Sequence, residues 1–305
     1  MVASEQPSKC SKCGATDGIS QDSDVLDTWF SSWLWPFSTM GWPNETETLK
    51  KFYPTDTLVT GPDIIFFWVA RMVMSGYYFL DKCPFHDVYF TSIVRDMKGR
   101  KMSKALGNSP DPLDIIAKYG ADALRYTIVS LAPVGQDIRF AENKVEIGRN
   151  FANKLWNASR FVLMNLEGAN VSINNKLPSN DKLSEVDRWI ISRMNYTVDQ
   201  VRSLLVEGNF RFNDALKAVY EFIWNDFCDW YIEMSKSVLF GQDSEKKATV
   251  QQVLLTCLDT ALRILHPFMP FVTEEIWQKL PGSEGFLMKA SFPEADKNLI
   301  DSALE

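Results

Sequence analysis

In the stretch VRDMKGRKMSKALGN, residues 94 to 108, the cations Lys98, Arg100, Lys101 and Lys104 fall within seven positions. Lysine ammonium groups three residues apart can converge on a polyphosphate as compact point charges. Gly99 and Gly107 bracket the segment and let it move. Neutralising the negative charge that builds on a leaving pyrophosphate is an electrostatic effect worth orders of magnitude in rate. A plain basic hairpin turn would have the same composition, and neither GxxxxGK[ST] nor GxGxxG occurs, so the ordinary Gly-rich phosphate cradles are absent. A second candidate is VTGPDIIFFW, residues 59 to 68. There Gly61 admits a ligand close to the backbone, and Asp63 can accept hydrogen bonds from paired hydroxyls such as a ribose diol. Asp63 equally suits a helix N-terminal carboxylate that complements the dipole. A third is Cys10-Ser-Lys-Cys13, half of a tetrahedral zinc site.

These groups must be positioned by a chain of 305 residues, a length that favours about two domains. Its net charge is −7, with 16 Lys+Arg against 18 Asp+Glu in residues 1–150 and 16 against 21 in residues 151–305. Neither half is a basic arm, so any nucleic-acid contact has to come from local patches. Hydrophobic content of 46% with 23% charged residues suits a globular protein. No uninterrupted apolar run reaches the ~18 residues of a membrane span. The first residues, MVASEQPSKC, lack the features of a secretory signal, which implies a cytoplasmic setting with reduced cysteines.

Residues 1–24 read as a zinc-knuckle remnant or mobile segment, and packing is expected from about Val25. TDTLVTG, 55–61, reads as a strand; Pro62 starts a buried helix; HDVYFTSIV, 86–94, is the next strand, delivering the basic loop at its carboxyl end. This is a β-α-β unit, whose ligands bind beyond the carboxyl ends of the strands. Residues 111–132 give two short helices parted by Gly120. Helical patterns then cover about 142–167, 183–207, 211–240, 246–266 and 272–280. The fold class is therefore α/β followed by all-α, the second part an antiparallel helical bundle.

KMSKALGNSPDPLDIIAKYGADALRY resembles the KMSKS signature region of the class I aminoacyl-tRNA synthetases. DVLDTWFSS, LVTGPDIIFFWVARM, RNFANKLWNASRFVLMN and HPFMPFVTEEIWQKLP extend the resemblance over residues 10–290, toward the valine-specific members in particular. It implies the second half of a Rossmann-like catalytic domain over 25–141 and an anticodon-binding domain over 142–305. Lys101 and Lys104 would act catalytically on the ATP phosphates. Ile93, Val94, Met102 and Ser103 would bind ATP with Gly61 and Asp63 at the ribose, and Trp29 and Trp68 would wall the valine pocket. Ala105 departs from the signature serine, which touches only fine positioning.

The resemblance further implies ATP with Mg2+, valine and tRNA(Val) as ligands, a monomer, and no membrane partner. Lys154, Arg160 and Phe161, a cation pair and an aromatic ring on one helix, would meet the anticodon loop. The family's first signature, of His-x-Gly-His type, is missing. His86 reads as the start of a strand and His266 as a helix cap. The chain alone is thus expected to be inactive, with zinc held by Cys10 and Cys13 only in a longer protein, if at all. Alternatives are a non-catalytic tRNA-binding module, or a fragment of an isoleucyl or leucyl relative.

Overall fold

The computed structural model describes residues 2, 3, 5–206 and 208–304; Glu207, the expected end of one helix, lies outside them. The chain packs as two compact units, Met1–Phe90 and Thr91–Glu305.

In the first unit the packed part begins later than expected. Val25 and Leu26 are exposed, and Asp27 caps the first helix, α1 (Thr28–Ser32). Two more short helices follow, α2 (Trp35–Ser38) and α3 (Glu47–Phe52). Strand β1 (Thr55–Thr60) leads through a tight 3-10 turn and a widened π turn into α4 (Ala70–Leu80), which returns the chain to β2 (Phe85–Phe90). β2 runs parallel to β1, with Thr55 opposite Phe85 and Thr60 opposite Phe90, so the expected β-α-β unit is present. The crossover helix is not the buried one expected. Val69 and Met72 pack with Phe85 under the strands, yet Phe66, Phe67, Tyr77 and Tyr78 are exposed. Despite Asp63 and Arg71, Pro62–Leu80 is also long and apolar enough to span a membrane by length and composition, a correction to the sequence estimate. Its contacts here are those of a crossover helix.

The expected strand 86–94 is likewise broken in two. β2 stops at Phe90, and Val94–Arg95 forms a separate strand, β3, in the second unit. The cause lies far along the chain: the Asp137 carboxylate accepts the Ile93 N–H at 3.3 Å and pairs with Arg95. This draws β3 into parallel register with β4 (Ile138–Arg139).

Between β3 and β4 lie α5 (Pro112–Tyr119) and α6 (Ala121–Ser130). Asp111 caps α5 by accepting the Leu113 N–H, Pro112 sits at its first position, and Gly120, at φ 92°, separates the two helices. These helices bury Ile115, Tyr119 and Ala123 with Ile138, Phe140 and Val145 in a small core. The helical remainder comprises α7 (Val145–Leu166), α8 (Glu185–Leu205), α9 (Phe212–Glu221), α10 (Ile232–Leu239), α11 (Ser244–Leu265) and α12 (Pro270–Trp277). A π segment, Phe222–Tyr231, joins α9 to α10 without a break, so the expected helix 211–240 is continuous. Apolar faces from all of these, with Tyr126 of α6, merge into one large core.

Candidate active site

The basic loop leaves β3 and is fastened at both ends. Arg95 donates to the Gly99 carbonyl at 3.2 Å, and an isolated bridge joins Arg95 to Lys101. Asp96 organises the first half: its Oδ1 accepts the N–H groups of Lys98 (3.0 Å) and Arg100 (2.9 Å), and its Oδ2 accepts Arg100 Nε (2.8 Å). Asn108 closes the second half, donating Nδ2 to Asp96 Oδ2 at 3.1 Å and accepting the Ser103 N–H at 2.9 Å. Asn108 first, then the backbone and guanidinium of Arg100, hold the Asp96 carboxyl well below its ordinary range. Gly99 and Gly107 have φ of 80° and 61°, left-handed values that glycine adopts without strain.

Within this frame Lys101 and Lys104 are exposed while Met102 is half-buried. The Met102 N–H donates to the Val94 carbonyl at 3.1 Å, and its side chain packs on the small core of α5, α6 and β4. A cavity of about 420 Å³ opens beside it, with Ile93, Val94, Lys101 and Met102 among its lining and Ile115 and Phe140 supplying more apolar wall. Four of the residues expected at the nucleotide therefore share one concavity. It is a largely apolar cavity with a cation at hand, a lining that suits a purine ring and a phosphate chain. Ser103 takes a different place, its N–H held by Asn108 and its Oγ accepting the Leu106 N–H. Of the four cations, Arg100 is committed to Asp96, to which its guanidinium lies 2.8 Å away.

The remaining expected groups lie in the first unit. Gly61 follows β1 with φ −80° and ψ 147°, a conformation open to any residue, so no backbone strain demands glycine there. Asp63 stands exposed in the first turn that Pro62 opens. Trp29 on α1 stacks on Phe67 with ring centroids 5.7 Å apart, and the Trp68 indole N–H donates to the Ser32 carbonyl at 3.1 Å. Both indoles are half-buried, and Trp68 also covers the Val69–Met72–Phe85 core.

A family model described as tRNA synthetases class I (I, L, M and V) matches residues 4–141, and one described as the anticodon-binding domain of tRNA ligase matches residues 187–305. The valine–tRNA ligase of Thermotoga maritima is 53% identical over 304 residues, covering 100% of this chain and 34% of the relative. That of Fusobacterium nucleatum is 55% identical over 290 residues, covering 94% and 32%. The chain belongs to the class I aminoacyl-tRNA synthetases. It spans about a third of the length of the curated synthetases it matches. Among solved structures, the Agrobacterium radiobacter K84 LeuRS–tRNA–LeuAMS ternary complex matches with a TM-score of 0.75 at 22% identity, covering 96% of this chain and 35% of that one. The Mycobacterium tuberculosis methionyl-tRNA synthetase in complex with methionyl-adenylate follows at 0.66 and 21%, covering 81% and 48%. At these identities the likeness establishes the synthetase fold, with its Rossmann-like catalytic part.

On helix α7 the three expected RNA-contacting residues separate. Lys154 pairs with Asp229 and lies 4.1 Å over the Trp224 ring, so it is engaged with the π segment. Phe161 packs on the large core with Lys236 5.6 Å above its ring, while Arg160 is exposed and lines a smaller cavity with Trp156 and Lys279. At the other end of the chain, the Cys10 and Cys13 thiols lie on a turn closed by Gly14 N–H donating to the Cys10 carbonyl at 2.9 Å. The Cys13 and Lys12 backbone N–H groups, aided by the Cys13 side chain, lower the Cys10 pKa. Among the described residues no third ligand joins them. His86 occupies the second position of β2 and His266 the end of α11, as expected. Asp96, Asn108 and Asp137 were absent from the expected site. The available signal was two Asx residues at the ends of a Gly-containing loop, where short polar side chains bind neighbouring backbone.

Proposed function

We propose that this chain supplies the ATP-phosphate half of a valine–tRNA ligase active site together with its anticodon-binding part. The observation that carries the proposal is the shared cavity of Ile93, Val94, Lys101 and Met102 beside the basic loop. In this reading adenine lies along Met102 and the backbone of Ile93 and Val94. Lys101 and Lys104 stabilise the departing pyrophosphate as the valine carboxylate attacks the α-phosphate, and Mg2+ enters with the nucleotide as part of the substrate. Ser103 shapes the loop backbone around that phosphate chain. Gly61 and Asp63 hold the ribose, and the Trp29 and Trp68 indoles flank the valine side chain. Such an apolar pocket separates aliphatic side chains by only ~1–3 kcal/mol per methylene.

The catalytic part extends over 25–141 and the tRNA-binding part over 142–305, an antiparallel bundle that meets tRNA(Val) through Arg160 and, after the Asp229 pair opens, Lys154, with Phe161 as a stacking ring. The protein acts in the cytoplasm as a monomer, and Cys10 and Cys13 bind zinc where a second ligand pair is supplied. Without a His-x-Gly-His signature, this chain alone is expected to be inactive in valine-dependent ATP–pyrophosphate exchange. In a full-length synthetase carrying this segment, Lys104→Gln is expected to lower the exchange rate about 100-fold or more, the size seen when a charge-stabilising group is removed. Exchange by the isolated chain would overturn the first statement. An unchanged rate in the variant would overturn the assignment of the loop.

A further inference from the structure

The loop between β3 and α5 carries the exposed Lys98, Lys101 and Lys104 between a pair of side chains that touch each other, and those side chains hold much of the loop's shape. Asp96 Oδ2 accepts Asn108 Nδ2 at 3.1 Å, joining residues twelve positions apart. Asp96 also holds the N–H groups of Lys98 and Arg100, and Asn108 Oδ1 holds the N–H of Ser103, so both ends of the loop are bound by one of these two side chains. Arg95 donates to the Gly99 carbonyl and Met102 N–H to the Val94 carbonyl, tying the first half of the loop to β3, and the remaining bonds are local, such as Gly99 N–H to the Asp96 carbonyl at 2.9 Å and Gly107 N–H to the Lys104 carbonyl at 3.1 Å. Those close single turns and do not relate Lys101 to Lys104. Without the cross-link, a loop with two left-handed glycines samples many arrangements of its lysines, and each must be reordered when a polyphosphate arrives.

We propose that Asp96 and Asn108 are a positioning pair, which fixes the separation and direction of Lys101 and Lys104 so that both meet the β- and γ-phosphates of one nucleotide. The inference rests on the functional reading above and deepens it. The pair touches no substrate; it acts through the lysines. It also separates Arg100, which matches the Asp96 charge at 2.8 Å and belongs to the frame, from Lys101 and Lys104, the two lysines the proposal assigns to the phosphates. A carboxylate placed here without Arg100 would compete with phosphate for the lysines. With Arg100 bound and Asn108 donating, its charge is already engaged.

The test is titration calorimetry of the 305-residue chain with ATP and, separately, with AMP, which lacks the phosphates in question. Losing the cross-link by Asn108→Ala or Asp96→Ala is expected to weaken ATP binding about tenfold, the scale of one hydrogen bond to a charged group. AMP binding and the melting temperature are expected to stay unchanged, an outcome that a merely structural role would not give. The swap Asp96→Asn with Asn108→Asp rebuilds the bond with its polarity reversed and is expected to restore ATP binding above either single variant. If Lys101→Gln and Lys104→Gln weaken ATP binding while Asn108→Ala does not, the positioning pair is overturned and the reading of the loop stands. Should the two lysine variants leave ATP binding intact, or the unaltered chain bind no ATP, that reading falls and the pair falls with it. Equal losses for ATP and AMP in Asn108→Ala would reduce the pair to scaffolding and overturn the proposal.

Discussion

The two compact units treat their apolar residues in opposite ways. From α7 onward the helices gather around one large core in which Phe151, Leu155, Leu258 and Leu262 are fully buried. Up to Phe90 the largest joint cluster of buried residues is Val69, Met72 and Phe85, while Phe66 and Tyr78 stand 82% and 81% exposed. The two parallel strands of that unit also leave Val59 and Phe90 exposed, although parallel sheets are normally covered on both faces. The contrast teaches that hydrophobic periodicity marks a face that wants a partner, and that only three-dimensional packing says whether it has one. It also teaches where stability resides. Substitutions in the helical core should be felt strongly, and those on the apolar face of the crossover helix hardly at all.

The sharpest way to break this contrast is a pair of truncations read in one urea titration. Leu258→Ala removes a side chain with no exposure from the middle of α11, and such changes cost about 2–5 kcal/mol because the cavity only partly collapses. Phe66→Ser removes a larger side chain from the surface of the first unit, and surface changes usually fall within about 0.5 kcal/mol. Far-UV circular dichroism should therefore show a large shift of midpoint for the first and almost none for the second. Equal shifts would mean that Phe66 is covered in solution.

Much of this fold was legible in the sequence because its signals are local. Pro62 after Gly61 marked the turn out of β1, Gly120 parted α5 from α6, and the 3.6-residue pattern ran through α7 to α11. Four residues of the candidate site, Ile93, Val94, Lys101 and Met102, were legible through the signature and do line one cavity. Two features were hidden for one reason, a partner distant in sequence. The strand expected over 86–94 breaks because Asp137, 44 positions from Ile93, captures the second piece. Lys154 looked like a solvent-facing cation, yet Asp229, 75 positions on, and Trp224 engage it. The crossover helix looked buried since composition measures appetite for burial and not its satisfaction.

A smaller effect, again specific to the second unit, is expected at Gly148. This residue is helical and needs no special φ; it is glycine because α6 crosses α7 there, and a Cβ would meet the Ala123 carbonyl oxygen at 2.5 Å and its Cα at 2.9 Å. Both obstacles are backbone and cannot swing aside. Gly148→Val should cost about 1–3 kcal/mol by overpacking, and because α6 belongs to both cores of this unit it should loosen them together. Thermal unfolding followed by tryptophan fluorescence would then show one transition displaced downward. A split into two transitions would show that the small core beside the basic loop unfolds independently of the helical core, and would redraw the boundary of the comparison.

The mildest difference is one of pH, and it too belongs to the helical unit. His266 ends α11 with Nδ1 2.8 Å from Thr273 Oγ1, and burial lowers its pKa from 6.5, against the weaker upward pull of Glu274 and Asp122. A base whose folded pKa lies below its unfolded one folds preferentially when neutral. Its contribution is therefore complete above the unfolded value, and it is lost as pH falls through about 6.5 toward the folded value, where the unfolded chain binds the extra proton. Urea midpoints should accordingly drop between about pH 7.5 and pH 5.5, and His266→Gln, which retains a polar partner for Thr273, should flatten that slope. A slope surviving in His266→Gln would assign the proton to another group and remove this residue from the account of the helical unit's pH dependence.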